Sequence, residues 1–460
     1  MQKIFSTLLL TCICAAGCSD SSDGPAPSAA VSAPPSSLTV RSTAAPEGVN
    51  GGMSSLRFPV FMDQPQAGDV TVSYETSNRE ATAGVDYLAG NGTATIPAGS
   101  LSTEIEIELL GDAELEIGER FELRYSVEGN ASAMGDLAIG TIANDDSTCD
   151  VPFSKEPNPW IIPAGGNPLN YAHRGGVTDF PENTLYAFRE VIKAGADVLE
   201  FDLFQSADGA LMVIHDPSVD RTTNGTGLVA DLTLAEIRAL DNAYWFVQDR
   251  VTPRDAPEDA YEFRGIATGD VPPPPGYRAE DFRIPTLAEV LEAFPDHRIN
   301  IDPRAGLSDD GSYEAAIAAE LQRFGREDDV IVVSFVDDVA QRFKASAPCV
   351  YTAVPLQQAA ALILSSASPD IAMPPVPEHV AFQIPRNTRS VGQIDLDIEV
   401  LTEDLIQDAH AANLAVQVWT INTCEEMLEV MAFGVDAIMT DEPILLESLL
   451  NTAPGERSCD

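Results

Sequence analysis

Four short stretches of this chain each end an apolar run in polar residues able to do chemistry. They are NYAHRGG (Asn170–Gly176), DVLEFDLF (Asp197–Phe204), LMVIHDP (Leu211–Pro217) and RINIDPR (Arg298–Arg304). Each reads as a short buried strand with its chemistry at the C-terminal end. Glu200 and Asp202 lie two apart on one strand, so they share a face. Two buried carboxylates that close resist ionising together. A divalent cation removes the conflict, and Asp302 offers a third oxygen ligand. Three carboxylates with water and a substrate oxygen make a Mg²⁺ or Ca²⁺ shell. The competing reading pairs these carboxylates with Arg174 and Arg304 as buried ion pairs. His173 and His215 can divide general base and general acid work. They can also ligate zinc, although three carboxylates favour a harder ion. The Arg174 guanidinium suits phosphate oxygens. Glu182 and Asn183, in PENT just before a helical pattern, can orient a histidine or bond the substrate. The set points to an enzyme that handles phosphate.

The elements that must position these residues run over 168–460, where strand-like runs alternate with helical patterns. The other strand candidates are VIVVSF (Val330–Phe335), VYTAVP, AVQVWTIN (Ala415–Asn422) and AIMTDEP (Ala437–Pro443). Helical spacing is clear in TLYAFREVIKAG, with Gly195 as C-cap, and in TLAEVLEAF and EEMLEVMAFG. Eight β/α units predict an α/β (β/α)₈ TIM-type barrel, with its site at the C-terminal strand ends. A Pro-rich excursion over 216–285 contains one helical pattern, LTLAEIRALD, and the segment NAYWF. It follows a strand end, so it is expected to wall or cover the site mouth. Upstream, residues 38–146 alternate with period two in six or seven short runs, which predicts an all-β sandwich. Residues 147–167 read as a linker, 18–37 as a flexible Ser/Pro/Ala tether and 1–17 as a signal peptide.

Two family resemblances follow from these motifs. ATAGVDY, GTATIPAGS, GDAELEIGERFEL and GTIANDD resemble a Calx-beta domain. That resemblance implies a calcium cluster of Glu47, Asp86, Asp112, Glu116, Asp145 and Asp146. Carboxylates at several loop ends suit a hard ion; an acidic surface without calcium is the alternative. HRGG, FPENT, GADVLEFDLFQSADGALMVIHD, RTTNGTG, IPTLAEVLEAFP and VWTINTCEEMLEVMAFGVDAIMTDEP together resemble the glycerophosphodiester phosphodiesterase family. The resemblance implies hydrolysis of glycerophosphodiesters to glycerol 3-phosphate and an alcohol through a cyclic phosphate. It implies His173 and His215 as the acid/base pair and Glu200, Asp202 and Asp302 as ligands of one divalent cation, Ca²⁺ or Mg²⁺. Arg174 would bind phosphate, with Glu182, Asn183 and Arg304 binding or orienting the substrate beside it. The family's usual Glu-x-Lys is Asp302-Pro303-Arg304 here, so Arg304 keeps the charge with a different geometry. A phospholipase-D-like enzyme acting on lysophospholipids and a non-enzymatic calcium-binding adhesion module are the competing readings.

The balance of 26 Lys+Arg against 72 Asp+Glu gives a formal charge of −46, with Lys only at 3, 155, 193 and 344. Such a surface repels nucleic acid, leaving a small molecule as the expected partner. Ala15-Ala16-Gly17-Cys18 resembles a bacterial lipobox, with Ala15 where Leu is usual. An exported protein held in the cell envelope by a lipid on Cys18, otherwise periplasmic or extracellular, is the expectation. Export permits disulfides, and Cys149–Cys459 with Cys349–Cys424 is the expected pairing. Intact-mass measurement of membrane-purified protein should show a diacylglyceryl group on Cys18; its absence there would reduce the segment to an ordinary signal peptide.

Overall fold

The computed structural model describes residues 36–48, 51–112, 119–128, 131–143, 157–307, 310–367, 379–387 and 400–459. Cys18, Glu116, Asp145, Asp146 and Cys149 lie outside them.

The N-terminal region is a β-sandwich. Its strands are β1 (Ser36–Val40), β2 (Thr43–Pro46), β3 (Met53–Met62), β4 (Val70–Asn78), β5 (Asn91–Ile96), β6 (Ser102–Leu110), β7 (Glu119–Glu128), β8 (Ala131–Ala133) and β9 (Leu137–Ala143). One sheet runs β6-β3-β1-β8 and the other β2-β9-β7-β4-β5. The period-two pattern acts as expected: Leu56, Phe58 and Val60 alternate inward on β3, and Ile105, Ile107 and Leu109 on β6. Phe121 joins the sheets, stacked on Tyr87 at 4.2 Å and edge-on to Phe58 at 5.9 Å.

The C-terminal region is the expected barrel. Its strands are β10 (Leu169–Ala172), β11 (Val198–Gln205), β12 (Leu211–Val213), β13 (Arg298–Ala305), β14 (Val330–Val332), β15 (Tyr351–Thr352), β16 (Ala381–Pro385), β17 (Ala415–Trp419) and β18 (Ala437–Thr440). The helices are α1 (Leu185–Ala194), α2 (Leu234–Arg238), α3 (Leu287–Ala293), α4 (Ser312–Arg323), α5 (Asp337–Ser346), α6 (Leu356–Ser366), α7 (Glu403–Ala411), α8 (Cys424–Phe433) and α9 (Pro443–Leu450). Parallel order runs β15-β14-β13-β11-β10-β18-β17-β16. The ring closes where Ala353 bridges Ala381 and Val354 N–H donates to Ala381 O at 2.8 Å. α1 starts at Thr184, whose hydroxyl accepts from Ala187 N–H, and ends at Gly195 in the left-handed region.

One strand assignment is corrected. Leu211–Val213 is not a barrel stave: β12 runs antiparallel to β11 in a hairpin. Only Ser206–Ala210 separates them, too short for the crossover a parallel neighbour needs. The missing stave is Ala381–Pro385, AFQIP. Part of the expected linker also belongs to the barrel. Trp160 is fully buried against Tyr171 and Tyr351 and the first residues of several staves, closing the end away from the HRGG turn. The expected cysteine pairing is overturned. Cys424 bonds Cys459, with Cα atoms 5.7 Å apart, because Cys424 opens α8 where the C-terminal segment returns. Cys349 is also disulfide-bonded.

The 216–285 excursion is a packed layer. Phe246, Phe263 and Phe282 cluster with Tyr186 of α1, so helix and excursion share one core. The sandwich sets its β2–β9 edge against α4. Ser42 N–H also donates to Asp208 O at 2.9 Å, at the tip of the β11–β12 hairpin. A Cβ on Gly209 would lie 2.3 Å from the Ser42 carbonyl oxygen. Gly209 and Gly276 both have φ near the left-handed value, +86° and +90°, but nothing lies within 4 Å of a Cβ at Gly276. Gly209→Ala should therefore cost about 1–3 kcal/mol more than Gly276→Ala in urea unfolding. Equal losses would show that backbone strain alone matters at Gly209.

Candidate active site

The HRGG turn begins where β10 ends. His173–Gly175 forms a 3₁₀ turn with Arg174 at φ 52°. A side chain at Gly176 would put Cβ 2.8 Å from Pro443 Cγ, so the turn lies close on the start of α9. His173 Nδ1 is 2.6 Å from Asp441 Oδ1, just past β18. A carboxylate only accepts, so Nδ1 carries the proton and the neutral ring leaves Nε2 as its acceptor. Asn422 Nδ2–H donates to Asp441 Oδ2 at 2.6 Å, and Asp441 N–H donates to Asn422 Oδ1 at 2.9 Å. His173 Nε2 lies 3.9 Å from Glu200 Oε2.

His215 is held in the same manner, with Nδ1 2.6 Å from Asp216 Oδ1. β12 carries it in, since Ile214 N–H donates to Asp202 O at 3.1 Å. Arg221 fixes Asp216 through Nε at 2.6 Å and grips both oxygens of Glu182 at 2.6 and 2.8 Å. From Glu182 the contacts continue: Arg174 Nη1 lies 3.6 Å from Glu182 Oε1, and Arg174 Nε lies 3.6 Å from Asp202 Oδ2. Arg304 Nε donates to Asp202 Oδ1 at 2.6 Å, and its Nη2 is 3.4 Å from Asp302 Oδ2. The result is an alternating line of carboxylate and guanidinium from Asp216 to Asp302. Glu200 lies beside it, accepting from Arg174 N–H at 2.9 Å.

The electrostatics follow from burial. Glu200, Asp202 and Asp302 are all buried. Burial and then the Asp202 charge hold the Glu200 carboxyl above its ordinary value, against His173 and Arg174. Burial pushes Asp302 well above the usual carboxylate range despite Arg304, with Asp202 and Glu200 adding repulsion. Burial also opposes ionisation of Glu182 and Asp216, but their hydrogen bonds to Arg221 and His215 leave both below the ordinary range. Burial and Arg174 push the His173 imidazole down. Glu200 and the Asp441 hydrogen bond outweigh them, so it keeps its proton above the ordinary histidine range.

The structure brings together His173, His215, Arg174, Glu182, Asn183, Glu200, Asp202, Asp302 and Arg304. Asn183 N–H donates to Arg174 O at 2.8 Å, and its buried side-chain amide has no hydrogen-bond partner on either atom. Asp202 forms ion pairs with Arg174 and Arg304, and Asp302 one with Arg304. Among the described residues no three His, Cys, Asp or Glu groups are gathered as a ready metal cluster. The donors nevertheless suit a hard ion. Asp202 Oδ2 is buried without a hydrogen-bond partner, and burial, with the neighbouring carboxylates, holds Glu200 and Asp302 towards protonation. In the sandwich, Glu47 and Asp86 are buried, Glu47 Oε1 accepts from Asp112 N–H at 2.8 Å and Asp86 Oδ2 accepts from Thr82 N–H at 2.6 Å.

Four residues at the site were absent from the sequence expectation: Asp441, Asn422, Asp216 and Arg221. Asp441 does carry the same signal as the others, since MTDEP ends an apolar run in a carboxylate.

The model of the glycerophosphoryl diester phosphodiesterase family matches residues 173–445, more than half of the chain. The chain belongs to this family. A Calx-beta domain model matches residues 45–146. The glycerophosphodiester phosphodiesterase of Caldanaerobacter subterraneus subsp. tengcongensis is 30% identical over 62% of this chain and 96% of that protein. Glycerophosphodiester phosphodiesterase 1 of Bos taurus is 54% identical over 72 residues, 16% of this chain and 22% of that protein. The crystal structure of a glycerophosphodiester phosphodiesterase from Agrobacterium tumefaciens strain C58 is 25% identical, covers 61% of this chain and 99% of that one, and has a TM-score of 0.44.

In this family member the Asp441 bond favours the charged form of His173. The stabilisation from the raised imidazole is complete below the unfolded histidine value, about 6.5, and fades as pH rises through the folded value. Asp441→Asn should lower the His173 titration midpoint, read from its ring-proton NMR signal in EDTA. An unmoved midpoint would remove Asp441 as the cause.

Proposed function

We propose that this phosphodiesterase hydrolyses small glycerophosphodiesters, such as glycerophosphocholine or glycerophosphoethanolamine, to glycerol 3-phosphate and an alcohol. The observation that carries the reading is that two histidines, each with Nδ1 fixed by its own carboxylate, flank one buried line of carboxylates and arginines. In this reading one imidazole takes the proton of the glycerol 2-hydroxyl at Nε2, and that oxygen attacks phosphorus. The other histidine gives its Nε2 proton to the departing alcohol oxygen. The neighbouring hydroxyl gains from proximity. The cyclic phosphate is then opened by water, with the histidine roles reversed. Asp441 and Asp216 hold the ring tautomers through both halves. Arg174, oriented by Glu182 and Asp202, is placed to bind phosphate oxygens; Asn183 offers its unbonded amide. Glu200, Asp202 and Asp302 would hold one divalent cation, which when bound supplies charge neutralisation at the phosphoryl group. The reading also takes the protein to be exported and lipid-anchored at Cys18, with the Calx-beta region as a further calcium candidate.

A lysophospholipid substrate needs exposed apolar surface at the mouth. The aromatic NAYWF segment does not supply it, because Arg264 covers the rings of Tyr244, Trp245 and Tyr261 at 4.2, 4.8 and 3.7 Å. That removes NAYWF as an acyl-chain contact, and the proposal keeps to small, water-soluble diesters. Purified mature protein should release glycerol 3-phosphate from glycerophosphocholine far faster than from lysophosphatidylcholine. His173→Ala and His215→Ala should each lower kcat by about 10²–10⁴, and EDTA should stop release until Ca²⁺ or Mg²⁺ is returned. Near-normal turnover in both variants would end the acid/base assignment. Full activity in EDTA would end the metal assignment.

A further inference from the structure

The alternating ladder has one unusual member. Asp202 and Asp302 are direct register partners on β11 and β13, so two carboxylates face each other across adjacent staves. Like charges placed so are destabilising. The register then shifts: Leu203 pairs Pro303, but Phe204 pairs Ala305, leaving Arg304 as the extra residue of a bulge. A bulge re-aims its side chain, and Arg304 reaches back over both acids. Its Nε and Nη2 lie 2.6 and 2.5 Å from Asp202 Oδ1, and Nη2 lies 3.4 Å from Asp302 Oδ2. The acids are buried, with side chains 0% and 7% exposed, whereas Arg304 is 32% exposed. The guanidinium thus sits on the solvent side of the carboxylates, where it can leave without unpacking the barrel.

We infer that Arg304 is a displaceable internal counter-cation: it competes with a divalent ion for Asp202 and Asp302, and on displacement is freed towards the substrate's phosphate. This rests on the proposed use of a divalent cation. Two consequences separate it from an ordinary ion pair. Removing the guanidinium weakens the metal-free fold yet tightens metal binding. Keeping the charge but losing the fork also tightens binding, because a lysine ammonium is a compact point charge that cannot span both acids from this position.

The test is calorimetric titration of Ca²⁺ and of Mg²⁺ into the EDTA-treated mature chain. Wild type is compared with Arg304→Gln and Arg304→Lys, and Asp202→Asn marks which isotherm belongs to the barrel rather than the sandwich. The expected result is at least tenfold tighter binding in R304Q and a smaller gain in R304K. The metal-free Tm should fall in R304Q and return towards wild type with saturating ion. If R304Q is not folded without metal, R304K carries the affinity comparison. An Asp202-dependent isotherm in wild type that neither variant tightens would overturn the inference while leaving the metal reading standing. Wild-type affinity in R304K with tighter binding only in R304Q would reduce Arg304 to a diffuse charge effect and also overturn it. No Asp202-dependent isotherm in wild type or R304Q would remove both.

Discussion

The site depends on keeping several carboxylates buried in one small volume. Glu182, Glu200, Asp202 and Asp302 are all removed from water, and an isolated buried carboxylate is strongly disfavoured as an ion. The chain meets this with forks. Arg221 joins Asp216 to Glu182, Arg174 joins Glu182 to Asp202, and Arg304 joins Asp202 to Asp302. Each arginine therefore serves two acids, which a lysine does poorly because it lacks the planar array of donors. At the Asp302 end burial and mutual repulsion still hold Glu200 and Asp302 towards protonation.

One histidine is anchored at an end of the ladder and the other beside it. His215 takes its orientation from Asp216, which Arg221 ties to Glu182, which in turn contacts Arg174. His173 takes its orientation from Asp441 and lies beside Glu200. Such networks resist division into pairwise contributions.

Much of this was legible in the sequence. HRGG, EFD and IDPR each put a polar pair at the end of an apolar run that is a stave with its active end, and IHDP gives the same signal from the hairpin strand β12. The helix starts at Thr184 and Thr286 and the stop at Gly195 were equally readable, since capping is a local property. What failed was non-local. LMV and AFQIP are both short apolar runs, and nothing in either tells whether it pairs parallel or antiparallel; the length of the connection decides. Arg221 lay in a loop with no periodicity, so its link to Glu182 arises only from the excursion folding back on α1. The Cys424–Cys459 bond depended on where the C-terminal segment returns, which spacing cannot supply. The bulge at Arg304 needed the register of β11 against β13, although its cause, a proline that cannot donate within the ladder, was visible beforehand.

The hairpin that spoiled the strand count is also where the sandwich and the catalytic elements meet. β12 must turn back at once to bring His215 beside Asp202, so β11–β12 projects a tight tip at Ser206–Ala210. Asp208 organises that tip twice over: its side chain accepts from Ser206 Oγ and from Leu234 N–H at the start of α2. Its carbonyl accepts from Ser42 of the sandwich. The neighbouring stave leads through Arg304 into α4, and Tyr313 on α4 donates to Leu203 O of β11 at 2.7 Å. The β2–β9 edge of the sandwich therefore lies on α4 and on the hairpin tip, the two elements that continue directly from the strands bearing Asp202 and Asp302. The setting of the floor is thus a property of both folded regions, and the barrel alone does not contain all the contacts that fix it.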